Sequence, residues 1–439
     1  MMRTVSALCM SLLAGVAIAV EQPTVVIQSL VPGSPAEAAG IKEGDVLLEY
    51  NGKPVTSAAD AQRLREEVTT DSVDVTLLRG EERVTVRLPA GKMGVYLAEQ
   101  LPELAYEADA VVIEGLPVLN WDEGKENTFL ACLEAVAGRL GIDKDYIELN
   151  GASGAAFRLH FFKDWCPSSP DPSCGYPTGS RAVDALLSLN HDFRHIKEDD
   201  TTGQGALRQA IIASIDRGMP VIAIDLKSIP EWGIITGYQK GGSELICRTF
   251  FDQREGYDLA DKFPWAICLL ELRPVAAPAP DFRTVAAIAV ENLETERYDD
   301  YYSGLRAFDR WLDRLQAPGF FDTLKLEQLQ EVSHANAWIY DRLIHDRLQA
   351  VEYLKRHAET TPDQAERLTA LADVYGAEAE LLQPLEGVVA YVFQVTGPES
   401  WTVDMRAEQV KRLTAARAKE EEALALWQEV LGPTSNEGK

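Results

Sequence analysis

Turn signals between short apolar segments in residues 24–98 constrain the fold of this chain more than any other feature. Pro32-Gly33 predicts a chain reversal, Ser34 is a suitable N-cap for the short helix PAEAAG, and Gly40 ends that helix. Asn51-Gly52 follows the strand VLLEY and predicts a tight hairpin turn. Each residue type meets a separate physical need, so the pattern predicts a small β-domain with two helices.

This segment closely resembles a bacterial PDZ domain, which we place at residues 22–98. The helical stretch SAADAQRLREEV and the strands VDVTLLRG and EERVTVRLP follow in the expected order. The resemblance implies that a peptide is bound as an added strand at a sheet edge. The peptide carboxylate would be held by backbone amides of an apolar-Gly-apolar loop.

The first residues, MMRTVSALCMSLLAGVAIA, have the pattern of a cleaved secretory signal. They combine one arginine, an apolar run and the small-residue end Ala17-Ile18-Ala19. We predict a signal peptide at residues 1–19 and export to the periplasm or cell envelope; an uncleaved anchor is the alternative. No later stretch reaches the ~18 apolar residues that span a bilayer, so we expect no membrane association after cleavage.

Cleavage near Ala19 leaves no room upstream of the first strand for the carboxylate-binding loop. The candidate loop therefore lies in GKMGVYL, residues 91–97, as in a permuted domain. The predicted peptide-binding residues are Lys92, Met93, Gly94, Val95, Tyr96 and Leu97. Alternatively, this segment only closes the sheet. The helix of the opposite groove wall contains no histidine to bond a ligand hydroxyl, so we predict a preference for apolar peptide C-termini.

The overall composition indicates a soluble, multidomain, acidic chain. With 439 residues it should form several folded units, and the net charge of −27 opposes binding to nucleic acid. After signal cleavage five cysteines remain, an odd number, and Cys166 and Cys174 bracket the Pro-rich loop CPSSPDPSC. We predict a disulfide between these two in an oxidising compartment. No CxxC spacing accompanies them, and His191 and His195 have no matching ligand cluster, so we expect neither metal nor cofactor.

The rest of the chain divides into an acidic linker and two larger segments. Residues 99–110 are the linker, residues 111–274 alternate helices and strands, and residues 283–432 carry the helical apolar repeat throughout. We therefore predict an α+β multidomain protein with an all-helical C-terminal region.

ENTFLACLEAVAGRLG, SGAAFRLHF and GIITGY resemble the butirosin-biosynthesis H-type family. That resemblance implies a papain-like fold for residues 111–274, continued by the C-terminal helices. It also implies acyltransfer from a carrier thioester to an amine, by a cysteine at a helix N-terminus beside a histidine.

The expected catalytic pair is missing at both positions. The place for cysteine falls at Asn127 or Thr128, and Cys132 comes a full turn later, where a buried thiol is usually inert. The place for histidine contains Glu231. Thr128 as nucleophile with Glu231 as base is the substitute pair; alternatively, Thr128 caps the helix and Glu231 is a surface carboxylate.

A ligand site is the other function that these residues suggest. We predict that Asn127, Ser153 and Arg158 bind a small ligand or peptide. Small residues such as Ser153 allow a ligand to approach the backbone closely, and the Arg158 guanidinium can bind a carboxylate or phosphate through two hydrogen bonds. The alternative is a packing patch with Arg158 in an internal ion pair.

Together these features predict an exported pseudoenzyme. Its PDZ domain would bind a protein or peptide C-terminus, and its papain-like cleft a small ligand or peptide. Thioester donors are cytoplasmic, which disfavours acyltransfer by an exported protein. The alternatives are an amide-bond hydrolase or aminoacyl transferase that uses Thr128, and scaffolding through residues 283–432.

Overall fold

The computed structural model describes residues 24–30, 33–91, 93–100, 103–170, 191–197, 202–227, 229–252, 254–272, 281–385 and 387–432. The predicted signal peptide lies outside them. Contacts divide the chain into two compact units. The first contains the described residues up to 105 and those of 252–258, and the second contains the described residues of 106–251 and of 259–432.

The first unit is an antiparallel sheet with two helices. Its strands are β1 (Thr24–Leu30), β2 (Val46–Tyr50), β3 (Lys53–Pro54), β4 (Ser72–Arg79), β5 (Glu82–Pro89) and β6 (Val95–Gln100), and its helices are α1 (Pro35–Ala38) and α2 (Ala58–Glu66). The sheet order is β5-β4-β2-β1-β6, and β3 pairs with β2. Strand β6 thus runs two residues into the segment that the sequence predicts as linker.

Local chemistry explains these boundaries. The Ser34 hydroxyl accepts a hydrogen bond from the Glu37 amide at 3.2 Å, as an N-cap does. Asn51 and Gly52 both have positive φ angles, 53° and 72°, which is the geometry of the two-residue turn that joins β2 to β3. Strand β4 buries alternate residues, so one face of the sheet forms the core.

The second unit begins as helices on an antiparallel sheet. Its helices here are α3 (Thr128–Arg139), α4 (Tyr146–Ala152) and α5 (Gln204–Ile215), and its strands are β7 (Val111–Val112), β8 (His160–Phe162), β9 (His191–Lys197), β10 (Val221–Ile224), β11 (Trp232–Gln239), β12 (Glu244–Arg248), β13 (Asp258–Leu259), β14 (Ala266–Leu272), β15 (Arg297–Tyr298) and β16 (Tyr301–Ser303). The main sheet has the order β13-β12-β11-β10-β14-β9, with β7 also paired to β11. Helix α3 packs against β11.

The helical part of this unit shares a core with the sheet-containing part. Its helices are α6 (Phe282–Glu294), α7 (Gly304–Leu315), α8 (Leu326–Thr360), α9 (Ala365–Leu382) and α10 (Val403–Leu431). Phe157, which precedes β8, packs edge-on against Trp427 of α10 with ring centroids 4.8 Å apart. The predicted segments 111–274 and 283–432 are therefore packed together rather than independent.

A fully buried ion cluster joins three of these helices. Arg347 of α8 donates to Glu378 of α9 at 3.1 Å and also to Glu420 of α10. It further donates to the Ala156 carbonyl at 2.7 Å. All three charged side chains have 0% exposure, so this cluster fixes α8 relative to its neighbours.

Candidate functional site

A cavity of about 400 Å³ opens at the N-terminus of α3. Its walls are strongly aromatic, and its lining includes two carboxylates and one guanidinium. The aromatic residues are Trp121, Trp232, Phe251, Trp265 and Trp338, and the charged ones are Glu126, Glu231 and Arg342. An apolar enclosure with a few convergent polar groups is the usual form of a small-molecule site.

The structure brings Thr128 and Glu231 together at this cavity. Thr128 is the first residue of α3, and Glu231 immediately precedes β11. The Thr128 hydroxyl donates to Oε2 of Glu231 at 2.8 Å, although the two residues are 103 positions apart in the chain. This contact satisfies the hydroxyl, and it is also the distance that a nucleophile and its base require.

Asn127, rather than Thr128, caps α3. Its Oδ1 accepts a hydrogen bond from the Leu130 amide at 3.2 Å, and its own backbone N–H donates to the Tyr146 hydroxyl at 2.9 Å. The side chain is 1% exposed, and among the described residues its Nδ2 has no acceptor. Because a buried amide donor without an acceptor is costly, this atom marks a place for a ligand oxygen or a water molecule.

Helix α8 supplies the opposite wall. His334, Trp338 and Arg342 recur every four residues, so they lie on one face of the helix. Arg342 donates to both carboxylate oxygens of Asp346, at 3.0 and 3.1 Å, and to the Glu126 carbonyl at 2.9 Å. Its charge is therefore already engaged within the protein.

Burial shifts the protonation of two other cavity residues. It lowers the pKa of His334, so the imidazole is neutral at pH 7. Burial raises the pKa of the Glu126 carboxyl, and the nearby Arg342 opposes that shift. No basic side chain other than Arg342 is charged in the described part of the cavity wall.

Ser153 and Arg158 have internal roles and are not among the described residues that line the cavity. Ser153 ends α4, and its hydroxyl donates to the Asn150 carbonyl at 3.2 Å. Arg158 is 4% exposed and donates to the Pro170 carbonyl at 2.9 Å. The ligand-binding role of these two residues stays a prediction.

Of the two described cysteines in this region, one is buried in a helix and the other lines the cavity. Cys132 is fully buried in α3. Cys166 lies in the cavity wall with its Sγ 2.9 Å from the Ser168 hydroxyl. Cys174 lies outside the described residues, so the Cys166–Cys174 disulfide also stays a prediction.

In the first unit, the predicted peptide-binding segment lies at the end of the sheet. Strand β6 pairs with β1 on one side, and no other described strand pairs with it. Helix α2 packs beside β6. A strand edge next to a helix is a suitable groove for an added peptide strand.

The loop before β6 is held by its neighbours. Gly94 has a φ of +77° and contacts Ser34 closely, while Met93 is buried and its carbonyl accepts from the Ala36 amide at 3.0 Å. Tyr96 is 61% exposed, whereas Val95 and Leu97 pack against the core. Lys92 lies outside the described residues.

Sequence reasoning missed the aromatic walls and Arg342. The tryptophans come from separate segments, and the apolar repeat of α8 predicts only a core-facing stripe. The four-residue spacing of His334, Trp338 and Arg342 was the available signal, because it adds a charge and an imidazole to one helix face.

In the part of the chain that the structure describes, His, Cys, Asp and Glu form no group of three or more that could hold a metal ion. None of the helices in that part combines the length and apolar character needed to cross a bilayer.

Comparison with known proteins identifies the first unit. The PDZ domain family matches residues 26–79, so the chain contains an N-terminal PDZ domain. HhoA of Synechocystis sp., whose name describes a serine protease, is 31% identical over 70 residues, which are 16% of this chain and 18% of that protein. Serine protease HTRA1 of Xenopus tropicalis is 38% identical over 61 residues, which are 14% of this chain and 13% of that protein. The chain thus spans less than a fifth of the length of these curated relatives.

A solved PDZ domain protein from Parabacteroides distasonis matches with 13% identity. The match covers 63% of this chain and 59% of that one, with a TM-score of 0.16. A score this low establishes no shared fold for the second unit.

Proposed function

We propose that this protein binds an extended peptide through its PDZ domain and a small ligand in the second unit, without turning that ligand over. The observation that carries the proposal is the position of β6 at the sheet edge beside α2, after a loop that contains Gly94. An added strand gains main-chain hydrogen bonds there, and alternate side chains enter the groove.

The ligand half of the proposal is supported by the cavity at the N-terminus of α3. Asn127 offers a buried donor that no described residue accepts from, and Trp121 and Trp338 offer apolar surface. The absence of turnover is supported by the residues at the start of α3, where Asn127 and Thr128 stand in place of a thiol. A threonine hydroxyl is a weak nucleophile unless a strong base activates it.

We also propose a papain-like fold for residues 111–274 and export of the mature chain. The fold proposal is supported by α3, which packs on an antiparallel sheet and has its N-terminus beside the start of β11. The export proposal is supported by the sequence of residues 1–19. Cell fractionation with N-terminal sequencing tests it, and a protein that begins at Met1 and occurs only in the cytoplasmic fraction would contradict it.

A peptide array with the full-length chain tests the main proposal. Peptides with free, apolar C-terminal residues should bind more tightly than the same peptides with amidated ends, because amidation removes the carboxylate charge. They should also bind more tightly than peptides that end in serine or threonine. Equal binding of free and amidated peptides would exclude recognition of the carboxylate by the predicted loop.

The second candidate function is an amide-bond hydrolase or aminoacyl transferase. The 2.8 Å hydrogen bond from Thr128 to Glu231 favours it, since this pair has the geometry of a nucleophile and a general base. The test is intact-mass spectrometry after incubation with peptide and acyl-thioester panels. A covalent adduct that survives denaturation, persists in Thr128→Ser and is lost in Thr128→Ala would establish catalysis. A mass shift seen only under native conditions would support binding.

A further inference from the structure

We infer that the cavity at the N-terminus of α3 selects a small organic cation, in which an ammonium group carries methyl or methylene carbons and an oxygen lies nearby. This inference rests on the proposed ligand binding by the second unit. It goes further by assigning the charge and chemical class of the ligand from the walls of the cavity.

The first observation is the arrangement of the aromatic rings. Trp121 and Trp338 meet nearly at right angles, with an interplanar angle of 80° and centroids 6.2 Å apart. Phe251 meets Trp121 at 61° and 6.1 Å. Rings set at angles to one another form a corner whose negative π faces surround a bound group, as in the aromatic cages that hold alkylated ammonium groups.

The second observation is the charge around the rings. Glu126 and Glu231 line the cavity, and the guanidinium of Arg342 is paired at 3.0 and 3.1 Å with Asp346. The described part of the cavity wall thus carries two carboxyl groups, its one guanidinium is already paired with Asp346, and no lysine lines it. Burial raises the pKa of the Glu126 carboxyl. A bound cation would lower that pKa and so favour the charged carboxylate.

A helix N-terminus normally favours an anion, but at the N-terminus of α3 the acceptor oxygens of two protein side chains already occupy this position. Asn127 Oδ1 accepts a hydrogen bond from the Leu130 amide at 3.2 Å. The carboxyl group of Glu231 lies beside the first residue of the helix, Thr128, because it accepts a hydrogen bond from the Thr128 hydroxyl. An anionic ligand would face the Glu231 carboxylate at short range. The remaining donor, Nδ2 of Asn127, can bond a neutral oxygen of a cationic ligand.

Three probes of similar shape separate charge from size. Choline is cationic, 3,3-dimethyl-1-butanol is its neutral carbon analogue, and 3,3-dimethylbutanoate is a related anion. Isothermal titration of the full-length chain should give choline an affinity at least about tenfold higher than that of the alcohol, with the carboxylate weakest. Higher salt should weaken choline binding, since the attraction is partly electrostatic.

Matched variants locate the effect in this cavity. Trp338→Leu removes a ring face and should weaken choline binding about fivefold to tenfold, whereas Trp338→Phe keeps a ring and should weaken it less. Glu231→Gln keeps an acceptor for Thr128 but removes the charge, and it should weaken choline more than the alcohol. Glu352→Gln, on an exposed part of α8, is the control and should change neither affinity. Circular dichroism checks that each variant is folded.

The possible outcomes separate this inference from the proposed function. Equal or tighter binding of the alcohol or the carboxylate would refute the cation inference while ligand binding stands. No binding of any probe would also refute the inference, and the PDZ peptide array would remain an independent test. A covalent adduct in the mass experiment would refute the non-catalytic proposal and leave cation selectivity intact.

Discussion

Replacing Gly94 by alanine should disrupt the loop that precedes the peptide-binding strand. A Cβ added at Gly94 would lie 2.3 Å from Cβ of Ser34 and 3.1 Å from its hydroxyl oxygen. Ordinary contacts of this kind lie at 3.4–4 Å, so the loop or α1 must move. The φ of +77° adds strain of its own, because side chains with a Cβ rarely adopt it.

The magnitude can be divided between these two causes. A left-handed conformation costs about 1–2 kcal/mol for alanine, and overpacking costs about 1–3 kcal/mol more. Gly80→Ala is the matched control: its φ is +59°, and an added Cβ would meet nothing within 4 Å. We therefore expect about 1–2 kcal/mol for Gly80→Ala and about 2–5 kcal/mol for Gly94→Ala in the free energy of unfolding of the first unit.

A double-mutant cycle tests the assigned contact directly. Ser34→Gly removes the obstructing Cβ and costs only a few tenths of a kcal/mol as a change of N-cap. In that background Gly94→Ala should cost only its backbone strain, which gives a coupling of about 1–3 kcal/mol between the two positions. Hydrogen exchange of β1 and β6 in the full-length chain measures the local free energy of unfolding, and fluorescence polarisation measures peptide affinity.

Two results would refute this reasoning. One is an additive cycle, in which Gly94→Ala costs the same with and without Ser34. The other is a Gly94→Ala variant that binds apolar peptide C-termini as tightly as Gly80→Ala does, because the loop would then play no part in recognition.

Further predictions concern the buried ions and Thr128. Arg347→Met leaves Glu378 and Glu420 buried without their cation, so denaturant unfolding should show a loss of about 3–5 kcal/mol; a loss below about 1 kcal/mol would contradict this. Burial raises the pKa of the Glu378 carboxyl well above its ordinary value of 4.5. Protonation of Glu378 therefore stabilises the folded state fully below pH 4.5, and this stabilisation is lost as the pH rises through the folded-state pKa. Glu378→Gln, a neutral isostere, should therefore weaken the fall of Tm with rising pH, and an unchanged pH profile would count against it. Thr128→Val should cost about 1 kcal/mol through the lost bond to Glu231, and Thr128→Ser less.

Much of the first unit could be predicted from the sequence because its signals are local. Ser34 caps α1 and Asn51-Gly52 turns the chain, as predicted from the preference of serine for N-cap positions and of Asn-Gly for tight turns. Residues 26–79 match the PDZ family, which confirms the domain. The groove residues themselves remain a prediction, since the match ends before Gly94.

The site in the second unit could be predicted only in part. The family resemblance predicts the pairing of Thr128 with Glu231, because it places a nucleophile at a helix start and its base before a strand. The sequence does not predict the right-angled contact of Trp121 with Trp338, because that contact depends on how α8 packs on the sheet-containing part. A helical period in α8 predicts a buried stripe, but it does not distinguish a core from a cavity wall.

The buried ion cluster connects the stability of α8 to the geometry of the cavity. Arg347 lies one residue after Asp346, the partner of Arg342, and it binds the Ala156 carbonyl as well as α9 and α10. A buried cluster of this kind holds one orientation of a helix more strictly than apolar packing does, because a small rotation would leave charges unpaired. Trp338 and Arg342 are therefore held on a fixed wall. It follows that Arg347→Met should weaken choline binding even in variant protein that remains folded, although Arg347 itself does not line the cavity.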